Sequence, residues 1–215
     1  MIKKLTLIIG FIICLSSCGK DYVYRIEGEL SNLEDQTVYA VFEKDNYKVV
    51  DTVACTKPGQ FQIDQNEAGF HCVTIFFADK EHWVTAYLEP GETVKITGDA
   101  NSPLLLQVKG GRTNDKLTAF KKKIAPLLTE LTNLSNSLNS KDLNDTIEET
   151  DIAARLANVN MQLSEEAIRY VKENPNEEAS VVLIQSFFSD PDDTRKIDEL
   201  LPTLHPWCTA HCTVK

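Results

Sequence analysis

The sequence predicts an α+β protein, with an amino-terminal antiparallel β-sandwich or barrel-like sheet followed by a carboxy-terminal helical region that contains a long helical hairpin. Up to about Gly110, apolar and polar residues alternate with the period of two that half-buried strands show. Beyond Gly111 the apolar residues recur at threes and fours, which is typical of amphipathic helices. The predicted parts are a leader at 1–17, a β-rich domain at 18–110 and a helical region at 111–215.

About eight short strands are expected in the β-rich domain, with turn residues such as Lys57-Pro58-Gly59 and Glu89-Pro90-Gly91 between them. The first strand is predicted from the apolar residues that alternate between Tyr22 and Leu30. The later candidates, in order, are Thr37–Phe42, Lys48–Ala54, Gln60–Asp64, Cys72–Ala78, Trp83–Leu88, Thr93–Thr97 and Leu104–Val108.

Two long apolar stripes predict the helical hairpin. The first extends from Leu117 to Leu138, and Pro126 is expected to kink or split it. The second extends from Ile152 to Val171 and ends at Asn174-Pro175. One interpretation is that a helix of a partner protein docks on these stripes. The favoured interpretation is that the two helices pack antiparallel on each other, or against the sheet. Two shorter helices are predicted after the hairpin, at Glu178–Phe188 and Asp192–Leu201.

The first seventeen residues have the pattern of a secretory signal. Lys3 and Lys4 precede an apolar stretch that is too short to span a membrane, and small residues lead into Cys18. The ending Leu15-Ser16-Ser17-Cys18 resembles a bacterial lipobox, in which the cysteine is acylated and becomes the new amino terminus. We therefore expect a lipid-anchored protein of the bacterial cell envelope, attached to the membrane through Cys18, with the outer membrane, facing the periplasm, as the preferred site.

The charge of the chain argues against two classes of partner. The formal net charge is −10, and loss of Lys3 and Lys4 with the leader makes it two units more negative. A chain this acidic lacks the basic surface that binds nucleic acid, and anionic lipid head groups would repel it. Membrane attachment is therefore expected to depend on the lipid, and an envelope protein is the other expected partner.

Four cysteines remain after Cys14 and Cys18 are set aside: Cys55, Cys72, Cys208 and Cys212. In an oxidising compartment they are candidates for disulfides or free thiols, and the sequence does not choose among three pairings. Cys55 and Cys72 lie in neighbouring candidate strands, so a disulfide between them is one interpretation, and two separate buried thiols are favoured over it.

The carboxy-terminal cluster contains the weak metal candidates His205, Cys208, His211 and Cys212. Structural zinc usually takes its ligands from two separated pairs. A tail in which these His and Cys residues occur by chance is therefore favoured over a metal site. Trp207-Cys208 resembles part of a thioredoxin-like active site, but the spacing is Cys-x-x-x-Cys and only three residues follow it. We therefore expect no redox catalysis there.

The remaining sequence contains no glycine-rich phosphate loop, Gly-x-Ser-x-Gly elbow or His-Glu-x-x-His motif. Its carboxylates are dispersed, as on a solvated surface. The expectation is therefore a protein that is not an enzyme, with no catalytic residue, no resident metal and no cofactor.

Several short motifs occur in an order that resembles a known family. They are Tyr24-Arg25-Ile26-Glu27-Gly28, Asp51-Thr52-Val53 with Gly59-Gln60-Phe61, Tyr87-Leu88-Glu89-Pro90-Gly91-Glu92, Val108-Lys109-Gly110-Gly111 with Asn114-Asp115, and Asn174-Pro175-Asn176 with Ala179-Ser180. Together they resemble domain of unknown function 4369, the amino-terminal domain of envelope lipoproteins of the thiol:disulfide interchange type.

The resemblance implies an envelope redox context, because in that family this region usually precedes a thioredoxin-like domain. It transfers no catalytic role to Cys208 or Cys212, and it implies structural roles for Gly59, Pro90 and Gly91. The expected function is a non-catalytic binding or accessory domain. The alternative is an accessory or truncated part of a thiol–disulfide oxidoreductase whose thioredoxin-like domain is absent from this chain.

Overall fold

A computed structural model of the protein describes residues 23–34, 37–44, 47–77, 81–139, 146–190 and 192–211, without the side chains of 139, 146–148 and 209–211. The predicted leader at 1–17, the predicted lipid site Cys18 and the thiol candidate Cys212 lie outside the described residues. The side chain of His211 does so as well.

Eight strands form the amino-terminal half, as the alternation of apolar residues predicts. They are β1 (Tyr24–Ser31), β2 (Thr37–Lys44), β3 (Tyr47–Ala54), β4 (Gln60–Gln65), β5 (Cys72–Phe76), β6 (Trp83–Tyr87), β7 (Thr93–Asp99) and β8 (Gln107–Lys109). In β1, for example, Tyr24, Ile26, Gly28 and Leu30 are buried and the residues that alternate with them are more exposed, as expected for a strand that covers a core with one face.

The strands form two four-stranded sheets, with the orders β4-β1-β7-β8 and β3-β2-β5-β6. Inward-facing residues of both sheets make one apolar core, so the domain is a sandwich. All described pairings are antiparallel except that of β1 with β7, which is parallel. The predicted fold class is therefore confirmed, but the sheet β4-β1-β7-β8 is mixed, whereas the sheet β3-β2-β5-β6 is antiparallel throughout. The long excursion of the chain between β1 and β7 supplies the crossover that a parallel pair needs.

The last strand differs from its predicted position. In place of a strand at Leu104–Val108, Pro103–Leu105 form a 3₁₀ turn and β8 begins at Gln107. Pro103 fixes its own φ and has no N–H to give to a sheet, which favours the turn. The amide of Leu106 donates to the Pro103 carbonyl and closes it.

The carboxy-terminal half is helical. It comprises α1 (Arg112–Lys123), α2 (Ala125–Asn139), α3 (Thr146–Glu173), α4 (Glu178–Phe188), α5 (Arg195–Leu200) and α6 (Pro206–His211). The expected split at Pro126 is confirmed, since Ile124 leaves helical geometry and Pro126 lies in the first turn of α2, where its missing N–H costs nothing. The final predicted helix is shorter than expected: α5 starts at Arg195, and a 3₁₀ turn follows it at Leu201–Thr203.

The two long stripes pack against each other. Lys123 pairs with Glu166 at 3.5 Å, and Glu130 pairs with Arg155 at 3.1 Å. From Lys123 at the end of α1 to Glu130 on α2 the residue numbers rise, while their partners on α3 fall from Glu166 to Arg155. The first stripe therefore runs antiparallel to α3, which is the favoured arrangement. The stripes share a second apolar core with α4 and α5. Among the described helices, none combines the length and apolar composition that a membrane span requires.

Candidate functional site: a cleft between the sandwich and the helices

Helix α1 is attached to the outer edge of β6 by the side chain of Asn114. The amide of Tyr87 donates to Asn114 Oδ1 at 2.9 Å, and Asn114 Nδ2 donates to the Tyr87 carbonyl at 2.7 Å. The same Nδ2 donates to the Gly110 carbonyl at 2.6 Å. Asn114 is only 2% exposed, so its side-chain amide replaces a neighbouring strand and satisfies backbone groups that water does not reach.

Thr118, one turn later on α1, makes the equivalent contact with β8. Its Oγ1 accepts from the Val108 amide at 3.1 Å and donates to the Val108 carbonyl at 2.5 Å. Since β6 and β8 are edge strands of different sheets, α1 joins the two sheets along one side of the sandwich.

The chain turns into α1 at two glycines with positive φ, 100° at Gly110 and 80° at Gly111. A β-carbon on Gly110 would lie 2.1 Å from the Thr93 carbonyl oxygen, so only glycine fits there. Glu89 Oε1 then accepts from the Arg112 amide at 2.7 Å. This carboxylate satisfies one of the free amides at the helix start and lies at the positive end of the helix dipole.

Glu177, at the start of α4, holds α4 to the start of α1. Arg112 donates to both of its carboxylate oxygens at 2.9 Å, and Lys116 Nζ lies 3.4 Å from Oε1. These cations, Arg112 first, hold the pKa of Glu177 below its ordinary value against the opposing effect of burial. Thr113 adds a hydrogen bond to Glu178 at 2.9 Å. This arrangement fixes the helices relative to the sandwich.

Two glycines of the sequence motifs, Gly28 and Gly59, also have packing roles. Gly28 of β1 pairs with Phe61 of β4, and a β-carbon on Gly28 would lie 2.2 Å from the Phe61 ring. Gly59 has a φ of 75°, and a β-carbon there would lie 1.9 Å from the Leu30 carbonyl oxygen. These glycines allow an aromatic ring and a backbone turn to approach β1 closely.

A cleft of about 780 Å³ lies where β6 and the Pro103–Leu105 turn face α1, α2, α3 and α4. Its wall is mainly apolar. The principal wall residues are Leu117, Phe120, Ile124, Leu128, Leu131 and Leu163, with Val182 and Phe187 on α4. Trp83 and Leu104 also line it, and they are 53% and 43% exposed. Large apolar side chains are therefore open to solvent beside an apolar cleft.

Lys121 is the one charged residue among the described residues that line the cleft. It lies on the apolar stripe of α1, and its Nζ is 3.4 Å from the Leu106 carbonyl oxygen. Burial lowers the pKa of this ammonium group, because an apolar environment disfavours the charged form. The cleft thus combines a hydrocarbon wall with a single cation.

The cysteine candidates lie far apart. Cys55 follows Ala54, which pairs with Thr37 at one end of β2, whereas Cys72 pairs with Glu43 near the other end. These positions on β2 are six residues apart, or roughly 20 Å at 3.3 Å per residue. A disulfide requires α-carbons within about 7 Å. Both thiols are half-buried, and no disulfide joins them.

Cys208 is fully buried, with its Sγ 3.9 Å from the Pro175 carbonyl oxygen. Burial is the first cause that raises the pKa of this thiol, and it raises the pKa of Cys72 to about 11. At neutral pH both thiols are therefore protonated and poorly nucleophilic.

Of the four terminal metal candidates, His205 and Cys208 have described side chains, and these two do not lie together. His205 is exposed while Cys208 points into the helical core, and His211 and Cys212 have no described side chains. Within the described part of the chain, no group of three or more His, Cys, Asp or Glu residues is arranged to hold a metal ion.

Sequence reasoning missed both the cleft and Lys121. One signal was present in the sequence, because Lys121 falls on the helical face of Leu117 and Ile124, where an apolar residue is expected. Trp83, which the sequence predicted only as the first residue of a strand, lies on the rim of the cleft.

Comparison with known proteins agrees with the motif pattern. Residues 24–117 match the family described as a domain of unknown function (DUF4369). The match covers the sandwich and the first part of α1, including Asn114, and ends before Thr118 and Lys121. No curated protein and no solved structure matches the chain.

Proposed function

We propose, on the premise that residues 24–117 are a DUF4369 domain, that the chain is a non-catalytic binding module of the bacterial cell envelope. Its ligand enters the cleft between the sandwich and the helices, and lipid on Cys18 holds the protein at the membrane. The proposal rests on one observation, the apolar cleft of about 780 Å³ with Trp83 exposed beside it.

The size and composition of the cleft support ligand binding. Small-molecule sites are usually concave, mostly apolar and roughly 300–1,000 Å³ in volume. The cleft also lies between two packed cores, one in the sandwich and one in the helices. Hydrogen bonds from Asn114 and Thr118 hold the two parts together, so its walls are formed before a ligand arrives.

Binding of the uncharged dye N-phenyl-1-naphthylamine, followed by its fluorescence, tests this proposal. We expect saturable binding to the wild-type protein. Ser186→Phe should weaken it at least tenfold, because Ser186 is exposed and lines the cleft, where a phenyl ring would occupy ligand space. Thr129→Phe is the matched control, since Thr129 is exposed on α2 and does not line the cleft. Absence of saturable binding, or equal binding by both variants, would contradict the proposal.

The membrane part of the proposal has a separate test. We expect the intact mass of the native protein from the membrane fraction to equal the chain from Cys18 onward plus lipid, and Cys18→Ser to release the protein into the soluble fraction. An unlipidated mass would contradict the anchor. A mass larger by a further domain would favour the thiol–disulfide alternative.

Insulin reduction with dithiothreitol tests that alternative directly. We expect no turnover above the uncatalysed rate from this chain, because the raised pKa values of Cys72 and Cys208 keep both thiols protonated at pH 7. Catalytic turnover would contradict the non-catalytic assignment and would mean that thiols of this chain are redox-active.

A further inference from the structure

We propose that the ligand of the cleft is an amphipathic carboxylate of the free fatty acid class, whose carboxylate pairs with Lys121 and whose hydrocarbon chain lies along α1 and α2. This inference rests on the proposed binding function and adds the chemical class of the ligand.

The surroundings of Lys121 call for an anion. Two other lysines of α1 have carboxylate partners, Lys116 with Glu177 at 3.4 Å and Lys123 with Glu166 at 3.5 Å. For Lys121 Nζ, the described residues provide no carboxylate partner and one long hydrogen bond, to the Leu106 carbonyl oxygen at 3.4 Å. A partly buried ammonium without a counter-ion is costly, and a carboxylate placed beside it would recover part of that cost.

The wall beyond Lys121 suits a hydrocarbon chain. Ile124, Leu128 and Leu131 follow it at helical spacing and all line the cleft. From Lys121 to Leu131 the wall is at most about 15 Å long, at 1.5 Å per residue. Burial of each methylene there is favourable, so a chain of medium length would supply most of the affinity and the carboxylate would supply the orientation.

The overall charge of the protein makes the role of Lys121 selective. The chain is strongly acidic, with a net charge of −10, so most of its surface repels an anion. Among the described lining residues, those facing Lys121 from β6, α3 and α4 include no carboxylate. A single ammonium group in an apolar wall matches a ligand with one negative charge and a long apolar part.

Displacement of N-phenyl-1-naphthylamine by dodecanoate and by uncharged dodecanol, both below their aggregation limits, separates the two contributions. Lys121→Met removes the charge and keeps an unbranched side chain. We expect it to weaken dodecanoate binding about tenfold, or about 1.4 kcal/mol, with dodecanol binding unchanged. Lys122→Met, an exposed neighbour on the same helix that does not line the cleft, should change neither. Lys121→Arg should retain dodecanoate binding.

The outcomes distinguish this inference from the function on which it rests. If the wild-type protein binds the dye but Lys121→Met binds dodecanoate as tightly as the wild type, the cleft is an apolar site without carboxylate recognition and the inference fails. Equal loss of dodecanoate and dodecanol binding would also overturn it, since it would assign Lys121 a packing role. Failure of the wild-type protein to bind the dye would overturn the proposed function itself.

Discussion

One side of the sandwich, formed by β6 and β8, is covered by α1, whereas the opposite side, formed by β3 and β4, carries charged side chains. On the covered side, Asn114 and Thr118 satisfy backbone groups of the edge strands from within a buried contact. On the open side, Arg25 makes a bidentate contact with Asp64 at 2.6 and 2.8 Å, and Lys48 pairs with Glu43 at 2.6 Å.

The two sides show two solutions to one problem, since the edge of a sheet exposes amides and carbonyls that attract other strands. Charged side chains protect the open edge in water, even though Val50 of β3 is 64% exposed. The helix protects the other edge and also creates the cleft, because its apolar face turns toward β6 and α3. The covered side should therefore determine stability and binding, and the open side should contribute little to either.

The largest effect is expected from Asn114→Ala. It removes three hydrogen bonds, two of which join the Asn114 side chain to the amide and carbonyl of Tyr87, and this should lower the free energy of unfolding by about 3 kcal/mol. Urea unfolding followed by circular dichroism measures it. The exposed Asn133→Ala on α2 is the control and should stay within about 0.5 kcal/mol of the wild type. A loss below about 1 kcal/mol for Asn114→Ala would mean that the edge contact is unimportant.

A smaller effect is expected from Thr118→Val, which keeps the shape and removes the hydroxyl. The free energy of unfolding should fall by about 1–2 kcal/mol, because the backbone of Val108 loses both contacts with Oγ1. Thr118→Ser retains the hydroxyl and should retain most of the stability in the same unfolding experiment. A loss in Thr118→Ser as large as that in Thr118→Val would contradict the hydroxyl as the main cause.

Glu177→Gln tests the α1–α4 contact through its pH dependence. Because the folded pKa of Glu177 lies below its ordinary value of 4.5, its contribution is present above that pH and is lost as the pH falls through the lower, folded value. The variant should therefore be less stable than the wild type at pH 7, by less than Thr118→Val, and the two should converge in acid. Glu173→Gln, exposed at the end of α3, is the control. A difference that persists unchanged at pH 3 would contradict an electrostatic cause.

The smallest effect is expected on the open side. A double-mutant cycle with Arg25→Met and Asp64→Asn should give a coupling energy of about 0.5 kcal/mol, since both side chains are partly exposed and solvent screens the pair. The coupling should decrease further in 1 M salt. A coupling as large as the Asn114 effect would remove the distinction between the two sides.

The sequence predicted most elements because their signals are local. The alternation that begins at Thr37 and the turn before Gln60 placed two strands at their observed starts, and the helix Glu178–Phe188 was predicted with both ends as observed. A disulfide between Cys55 and Cys72, the less favoured of the two interpretations, does not form, because the order of the strands along the chain differs from their order in the sheet. β3 and β5 both pair with β2, on opposite sides.

By itself, the sequence determined the type of most elements and the change from strands to helices at Gly110–Gly111, because hydrophobic period depends only on neighbouring residues. The tertiary structure alone decided the parallel pairing of β1 with β7, the use of Asn114 in place of a strand, and the cleft around Lys121. Each of these depends on groups distant in the chain, whose contacts follow from how the two cores pack. The lining of the cleft, drawn from Trp83 through Phe187, is the clearest case.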